Sequence, residues 1–211
     1  MHYHIIPVTP FQQNCSLLWC EASRQAALVD PGGEASRIIE EVTRQRVTMT
    51  QILLTHAHLD HVGAAAELAK HFQIPIVGPH AADASLLEAL PLQCQLFGIS
   101  PPIAPLVPTR WLAEGEVITV GQQRLSVRHC PGHTPGHIIL FCAAAHLAWV
   151  GDVLFQGSIG RTDLPGGDGV ALQRSIREKL WPLGDEITFI PGHGPLSTFG
   201  HERRHNPFVK G

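Results

Sequence analysis

A chain of 211 residues, 44% apolar and 16% charged, can bury one sizeable core, and no stretch reads as an interdomain linker, so a single domain over residues 1–211 is expected. A net charge of −3 without a basic cluster argues against a nucleic-acid partner, and no apolar run is long enough to span a membrane. Met1-His2-Tyr3-His4 lacks the basic stretch and apolar core of a signal peptide, and five Cys without a Cys-x-x-Cys pair fit buried thiols in a reducing compartment, so the cytoplasm is the expected location.

Residues 4–8, 15–19 and 26–29 read as strands, the last running into the turn Asp30-Pro31-Gly32. The spacing of Ile38, Ile39 and Val42 predicts a helix over 34–46. A short apolar run at 51–54 has the character of a core strand, and residues 62–72 return to helical periodicity. A short helix is expected over 81–90. The Pro-rich stretch 91–111 is expected to be mostly loop, either a lid near a site or irregular packing. Strands return over 117–150, residues 170–180 look helical, and 187–190 form the last strand. The chain contains 20 Gly and 17 Pro, as many short strands joined by tight turns require.

At the junction of the 51–54 strand and the following helix stands Thr55-His56-Ala57-His58-Leu59-Asp60-His61. His56 and His58 alternate on an extended segment and face one side, whereas Asp60 and His61 open the helix and point elsewhere. The bland alternative is a surface turn rich in His. Three further pieces argue against it: Pro131-Gly132-His133, Gly151-Asp152 and Pro191-Gly192-His193, each placed after a β-like run. Singly each is weak, because a lone His after a strand is more often structural than a ligand. Together they offer five imidazoles and two carboxylates. That exceeds the roughly four to six donors one first-row ion takes, so two ions are implied. Donors of this kind without thiolate suit zinc, iron or manganese. A carboxylate can bridge two ions and an imidazole cannot, which makes Asp152 the better bridging candidate and leaves Asp60 to the second ion.

These segments resemble the metallo-β-lactamase fold superfamily and, within it, the hydroxyacylglutathione hydrolase (glyoxalase II) group. The matching text is the 55–61 cluster, Gly132-His133-Thr134-Pro135-Gly136-His137, Gly151-Asp152 with Leu154-Phe155, and Pro191-Gly192-His193-Gly194, and the resemblance spans residues 14–206. It implies an α/β fold, a four-layer αββα sandwich with the site at one edge. It further implies two divalent metal ions, zinc first and iron or manganese as alternatives. His56, His58 and His133 would hold one ion, Asp60, His61 and His193 the other, with Asp152 bridging. The implied activity is hydrolysis of a small-molecule thioester, S-lactoylglutathione or a related glutathione thioester, to D-lactate and glutathione. Hydroxide generated between the ions would attack, with Asp60 and Asp152 as catalytic carboxylates and no Ser or Cys nucleophile.

Three other readings stay open. An iron-dependent persulfide dioxygenase of the superfamily would use one iron. Zinc β-lactamases usually carry Cys where Asp152 stands. A non-catalytic metal-binding or electron-transfer module belongs to another class, and its diiron relatives commonly have Glu at the place of His58 and a flavin domain. The sequence leaves the oligomeric state open.

Several other residues invite weighing. His137 begins a strand and reads as a hydrogen-bonded structural residue rather than a ligand. Asp30 either orients a ligand imidazole or stabilises its turn. Arg161 is expected to pair with Asp163 or another carboxylate, with substrate contact as the alternative. Only 18 residues follow His193, too few for the helical extension that supplies basic glutathione contacts in the group it resembles, which leaves Arg161, Arg203, Arg204 and Lys210 as candidates.

Overall fold

The computed structural model describes residues 1–210. Strands β1 (His2–Val8), β2 (Gln13–Trp19), β3 (Gln25–Val29), β4 (Thr48–Leu53) and β5 (Ile76–Val77) form one sheet in that order, antiparallel up to β3 and parallel from β3 to β5. The second sheet has the order β13-β12-β9-β8-β7-β6. Its members are β6 (Val117–Val120), β7 (Gln123–His129), β8 (Ile138–Cys142), β9 (Leu147–Gly151), β12 (Thr188–Pro191) and β13 (Ser197–Thr198). A separate two-stranded ribbon pairs β10 (Leu154–Phe155) with β11 (Ser158–Ile159).

Residue alternation makes the layers. On β3, Ala26 and Leu28 enter a core shared with helices α1 (Ala35–Gln45), α2 (Leu59–Val62) and α3 (Ala65–Phe72), while Ala27 and Val29 enter the core between the sheets. On β9, Leu147 and Trp149 face that middle core. Ala148 and Val150 face a third core, closed by Leu172 of α6 (Gly169–Ser175) and Phe199 of α7 (Phe199–His205). The order helix, sheet, sheet, helix is the αββα sandwich expected from the resemblance. Strands buried on both faces must be apolar throughout, which is why β8 reads Ile138, Ile139, Leu140 without a polar alternate.

Most expected elements fall where the periodicity places them, but the short strands β5, β10 and β11 are additional, β13 and α7 follow the strand expected to be last, and three expected elements differ in form. The stretch expected to be loop from residue 91 opens instead with helix α5 (Leu90–Phe97), which follows the short α4 (Ala84–Glu88). Pro91 stands at the start of α5, where its missing N–H has no helical partner to lose, and Gly98 closes the helix at φ +67°. The helix expected over 62–72 is two helices, α2 and α3, which part at Gly63-Ala64. Beyond Ser175 helix α6 widens into a π-helical turn over Ile176–Leu180. No helix of the described residues is long and apolar enough to cross a membrane.

The sheet topology positions the site. Strands β9 and β12 are parallel neighbours, so the residues following them, Asp152 and His193, emerge side by side. The end of β4 in the other sheet faces them, and a bridge between Gln13 and His193 ties the first sheet to this edge of the second.

Candidate metal centre

Past β4 the chain stays extended through His56 and His58 before α2 begins, so the two rings share one side and Asp60 and His61 turn away. Three groups of donor atoms assemble, each with its members within 4.8 Å of one another: His56, His58 and His133; Asp60, His61 and His193; and Asp30, His56 and His61, whose Asp30 is already taken up by hydrogen bonds from Thr55 and His61. Asp152 lies between the first two. Its Oδ1 is 3.3 Å from His61 Nε2, and its Oδ2 is 3.5 Å from His133 Nε2 and 3.6 Å from His193 Nε2. Asp60 Oδ2 stands 3.1 Å from His193 Nε2 and 3.9 Å from His61 Nε2.

The partners of the outer ring nitrogens assign the tautomers. Thr55 Oγ1 donates to Asp30 Oδ2 at 2.6 Å, so its lone pair receives the Nδ1–H of His56 at 3.0 Å. His61 donates Nδ1–H to Asp30 Oδ2 (2.9 Å), His133 to the Arg161 carbonyl (2.7 Å) and His193 to the Phe11 carbonyl (3.0 Å). Each of these four imidazoles therefore turns a bare Nε2 inward. The Nε2 atoms of His56, His61 and His133 and Oδ1 of Asp152 are buried without any hydrogen-bond partner. Buried lone pairs left unpaired are costly, and a cation among them removes that cost. The donor set thus fits first-row metal ions, with neutral imidazoles presented in the tautomer that ligation needs.

Electrostatics follow the burial. Burial pushes His56, His58 and His133 below the ordinary imidazole range, His58 to about 3, which keeps their nitrogen lone pairs free. Burial works against ionisation of Asp152, but the facing imidazoles of His61, His133 and His193 outweigh it and hold the carboxyl well below the usual range.

Glycine permits the close approach. A Cβ on Gly192 would stand 2.0 Å from Asp152 Oδ1 and 2.6 Å from His61 Cε1. Gly151, at φ +48°, aims the following Asp152 into the site, and Thr55 and His137 leave no room for a side chain there.

His137 is structural, as expected: its Nε2 accepts the Asp152 backbone N–H at 3.0 Å, and its ring stacks on His56. Of the two roles weighed for Asp30, its side chain takes the first, accepting from His61 Nδ1 (2.9 Å); its other contacts go not to its own turn but to the Thr55 backbone N–H (2.7 Å) and hydroxyl. Arg161 forms the expected two-point pair with Asp163, both contacts at 2.7 Å, and also borders the cleft. Arg203 and Arg204 pair with Asp185, and neither lines the cleft. The cleft, about 430 Å³, has the paired donor groups as its floor and Phe11, Phe97, Phe155, Ile159 and Leu164 along its walls. Sequence reasoning missed Asn14, whose side chain clamps the 191–194 turn through the Pro191 (3.1 Å) and Gly194 (2.9 Å) carbonyls. It also missed Phe11, Asp83 and Gln93. None of the four stands in a ligand-like spacing, so no local signal marks them.

A family model described as the metallo-beta-lactamase superfamily matches residues 8–193. This chain belongs to that superfamily. Hydroxyacylglutathione hydrolase GloC of Haemophilus influenzae is 50% identical over 210 residues, covering 99% of this chain and 98% of the relative. Among solved superfamily structures, BLEG-1, a B3 metallo-beta-lactamase, superposes with a TM-score of 0.91 at 39% identity and full coverage of both chains. TTHA1623 in a di-iron-bound form superposes with a TM-score of 0.89 at 38% identity, covering 98% of this chain and all of its own.

Proposed function

We propose that this chain, folded as one domain, is a metal-dependent thioester hydrolase whose leading substrate is S-lactoylglutathione or a related glutathione thioester. The observation that carries the reading is the pair of donor clusters facing each other across Asp152 at the floor of an apolar cleft. The full-length similarity to a hydroxyacylglutathione hydrolase supports the substrate class. His56, His58 and His133 would hold one ion, Asp60, His61 and His193 the second, and Asp152 both. Zinc is the leading metal, iron the next, as in the di-iron form of TTHA1623, and manganese the third. When bound, such ions supply Lewis acidity, drawing charge from a carbonyl oxygen and lowering the pKa of water into the neutral range.

The protein's own groups do the positioning. Thr55, Asp30 and the Arg161 and Phe11 carbonyls hold four imidazoles in the right tautomer and orientation, so no ring must reorganise during turnover. Phe97, Phe155 and Leu164 exclude water from one side of the reacting bond and offer apolar surface to the thioester. No cysteine among the described residues lines the cleft, and burial raises the thiols of Cys15 and Cys130 far above the neutral range.

The similarity to BLEG-1 carries a second reading, hydrolysis of a β-lactam amide by the same site. Protein reconstituted separately with zinc and with iron tests both. Metal per chain is counted, hydrolysis of S-lactoylglutathione is compared with that of a penicillin, and oxygen uptake is followed with glutathione persulfide. Two ions and a preference for the thioester are expected. Faster penicillin hydrolysis would establish the second reading, and a ceiling of one iron with oxygen uptake would establish a dioxygenase.

A further inference from the structure

The segment bearing His56 and His58 has left β4, so its backbone groups no longer pair with a neighbouring strand. Two distant side chains take the strand's place. The Ala57 N–H donates to Asp83 Oδ2 at 3.0 Å, the Ala57 carbonyl accepts from Gln93 Nε2 at 3.1 Å, and the Leu59 N–H donates to Gln93 Oε1 at 2.9 Å. Asp83 reaches further. It also accepts from Thr134 Oγ1 (2.8 Å) and from the Gly136 N–H (2.5 Å), the residues just beyond His133. The carboxylate is fully buried and meets three donors, so its lone pairs are used on one purpose. A Cβ on Gly136 would lie 2.7 Å from Asp83 Cγ, which keeps this contact possible only for glycine.

The other donor cluster is held differently. His61 leans on Asp30, His193 on the Phe11 carbonyl, and the turn before His193 on Asn14. Asp83 touches none of these. We infer that Asp83 is a positioning residue for the three-imidazole cluster alone: it sets the distance between the loop carrying His56 and His58 and the loop carrying His133, with Gln93 fixing the first loop. The inference rests on the two-ion reading above. An amide at position 83 turns an N–H₂ toward at least one of three donors, so the loops separate and the three nitrogens no longer converge.

The test is cobalt(II) affinity, read by visible absorption in titrations of chelator-treated protein, with Asp83→Asn placed in two backgrounds. In His193→Ala the three-imidazole cluster remains, and Asp83→Asn should weaken cobalt binding there by about tenfold or more. In His58→Ala the other cluster remains, and the same substitution should change affinity less than about twofold. Gln93→Leu, which leaves Asp83 in place and releases the same backbone, should weaken the first background and spare the second, so the inference stays testable even if Asp83→Asn folds poorly. Equal weakening in both backgrounds would show a general structural role and overturn the inference, as would unchanged affinity in the first. Uptake of a single ion by the unsubstituted protein would count against the two-ion reading, while the His193→Ala comparison would still decide the role of Asp83.

Discussion

Gly192→Ala is the smallest change that strikes both donor clusters. The added methyl would stand 2.0 Å from Asp152 Oδ1 and 3.2 Å from its Cγ, against an ordinary carbon–oxygen contact of about 3.3 Å. The backbone cannot swing aside, because the Gly192 N–H donates to the Gly151 carbonyl and its own carbonyl accepts from the Asn14 N–H, each at 2.7 Å. The Asp152 carboxylate must therefore retreat by about 1 Å or more, carrying His61 with it. A displacement of that size at reacting groups costs about 100-fold, or roughly 2.7 kcal/mol of transition-state stabilisation. Overpacking removes about 1–3 kcal/mol of stability as well, too little to unfold a domain of this size. Thioester kinetics, metal counting and thermal denaturation are measured together. Gly169→Ala serves as the control, since a Cβ there meets only the side-chain hydroxyl of Thr162, at 3.3 Å, and a small shift of that hydroxyl relieves it. A Gly192→Ala protein that keeps more than about a tenth of its kcat/KM and its full metal content would refute the reasoning.

Asp152→Ala should lose more metal and more activity than Asp60→Ala, because Asp152 faces imidazoles of both clusters and Asp60 those of one; normal metal content with most of the rate retained in Asp152→Ala would make the bridging assignment wrong. Shortening the thiol portion of the thioester should cost little in kcat/KM, since Arg161, the one Arg or Lys along the cleft among the described residues, is committed to Asp163. A loss of several hundred-fold, roughly 3–4 kcal/mol, would reveal a dedicated glutathione site. Burial lifts the Asp83 carboxyl from its ordinary 3.8 to about 6. Folding therefore favours the protonated acid, a contribution complete below about pH 4 and lost as pH rises through 6, on the order of 3 kcal/mol. Urea denaturation of metal-free protein at pH 4 and pH 7 should show the native chain losing about that much relative to Asp83→Asn, and a pH-independent difference between the two would contradict it.

The donors were legible before any fold was known because their signals are local. His-x-His on an extended segment, Asp-His at a helix start, and Gly-bearing turns after apolar runs are all written within a few residues, where strand and helix periods dictate which side chains share a face. Helix α1 and the main strands were legible for the same reason. Helix α5 was not, since Pro91 reads as a breaker until the first turn of a helix is known to begin there. The pairing of Arg161 with Asp163 was foreseeable from their two-residue spacing, and its place beside the cleft from its position soon after Asp152.

What holds the donors in place is a matter of tertiary structure alone. Asn14 meets the turn before His193 from 177 residues away, Asp83 meets Thr134 across 51, and Phe11 lends His193 a backbone carbonyl that every residue type possesses. That Asp152 faces both clusters likewise depends on β9 and β12 lying parallel and adjacent. The residue types that can bind a metal are thus set by the local sequence. Their convergence is set by hydrogen bonds between segments that only the packed sheets bring together, and such contacts leave no period or spacing along the chain.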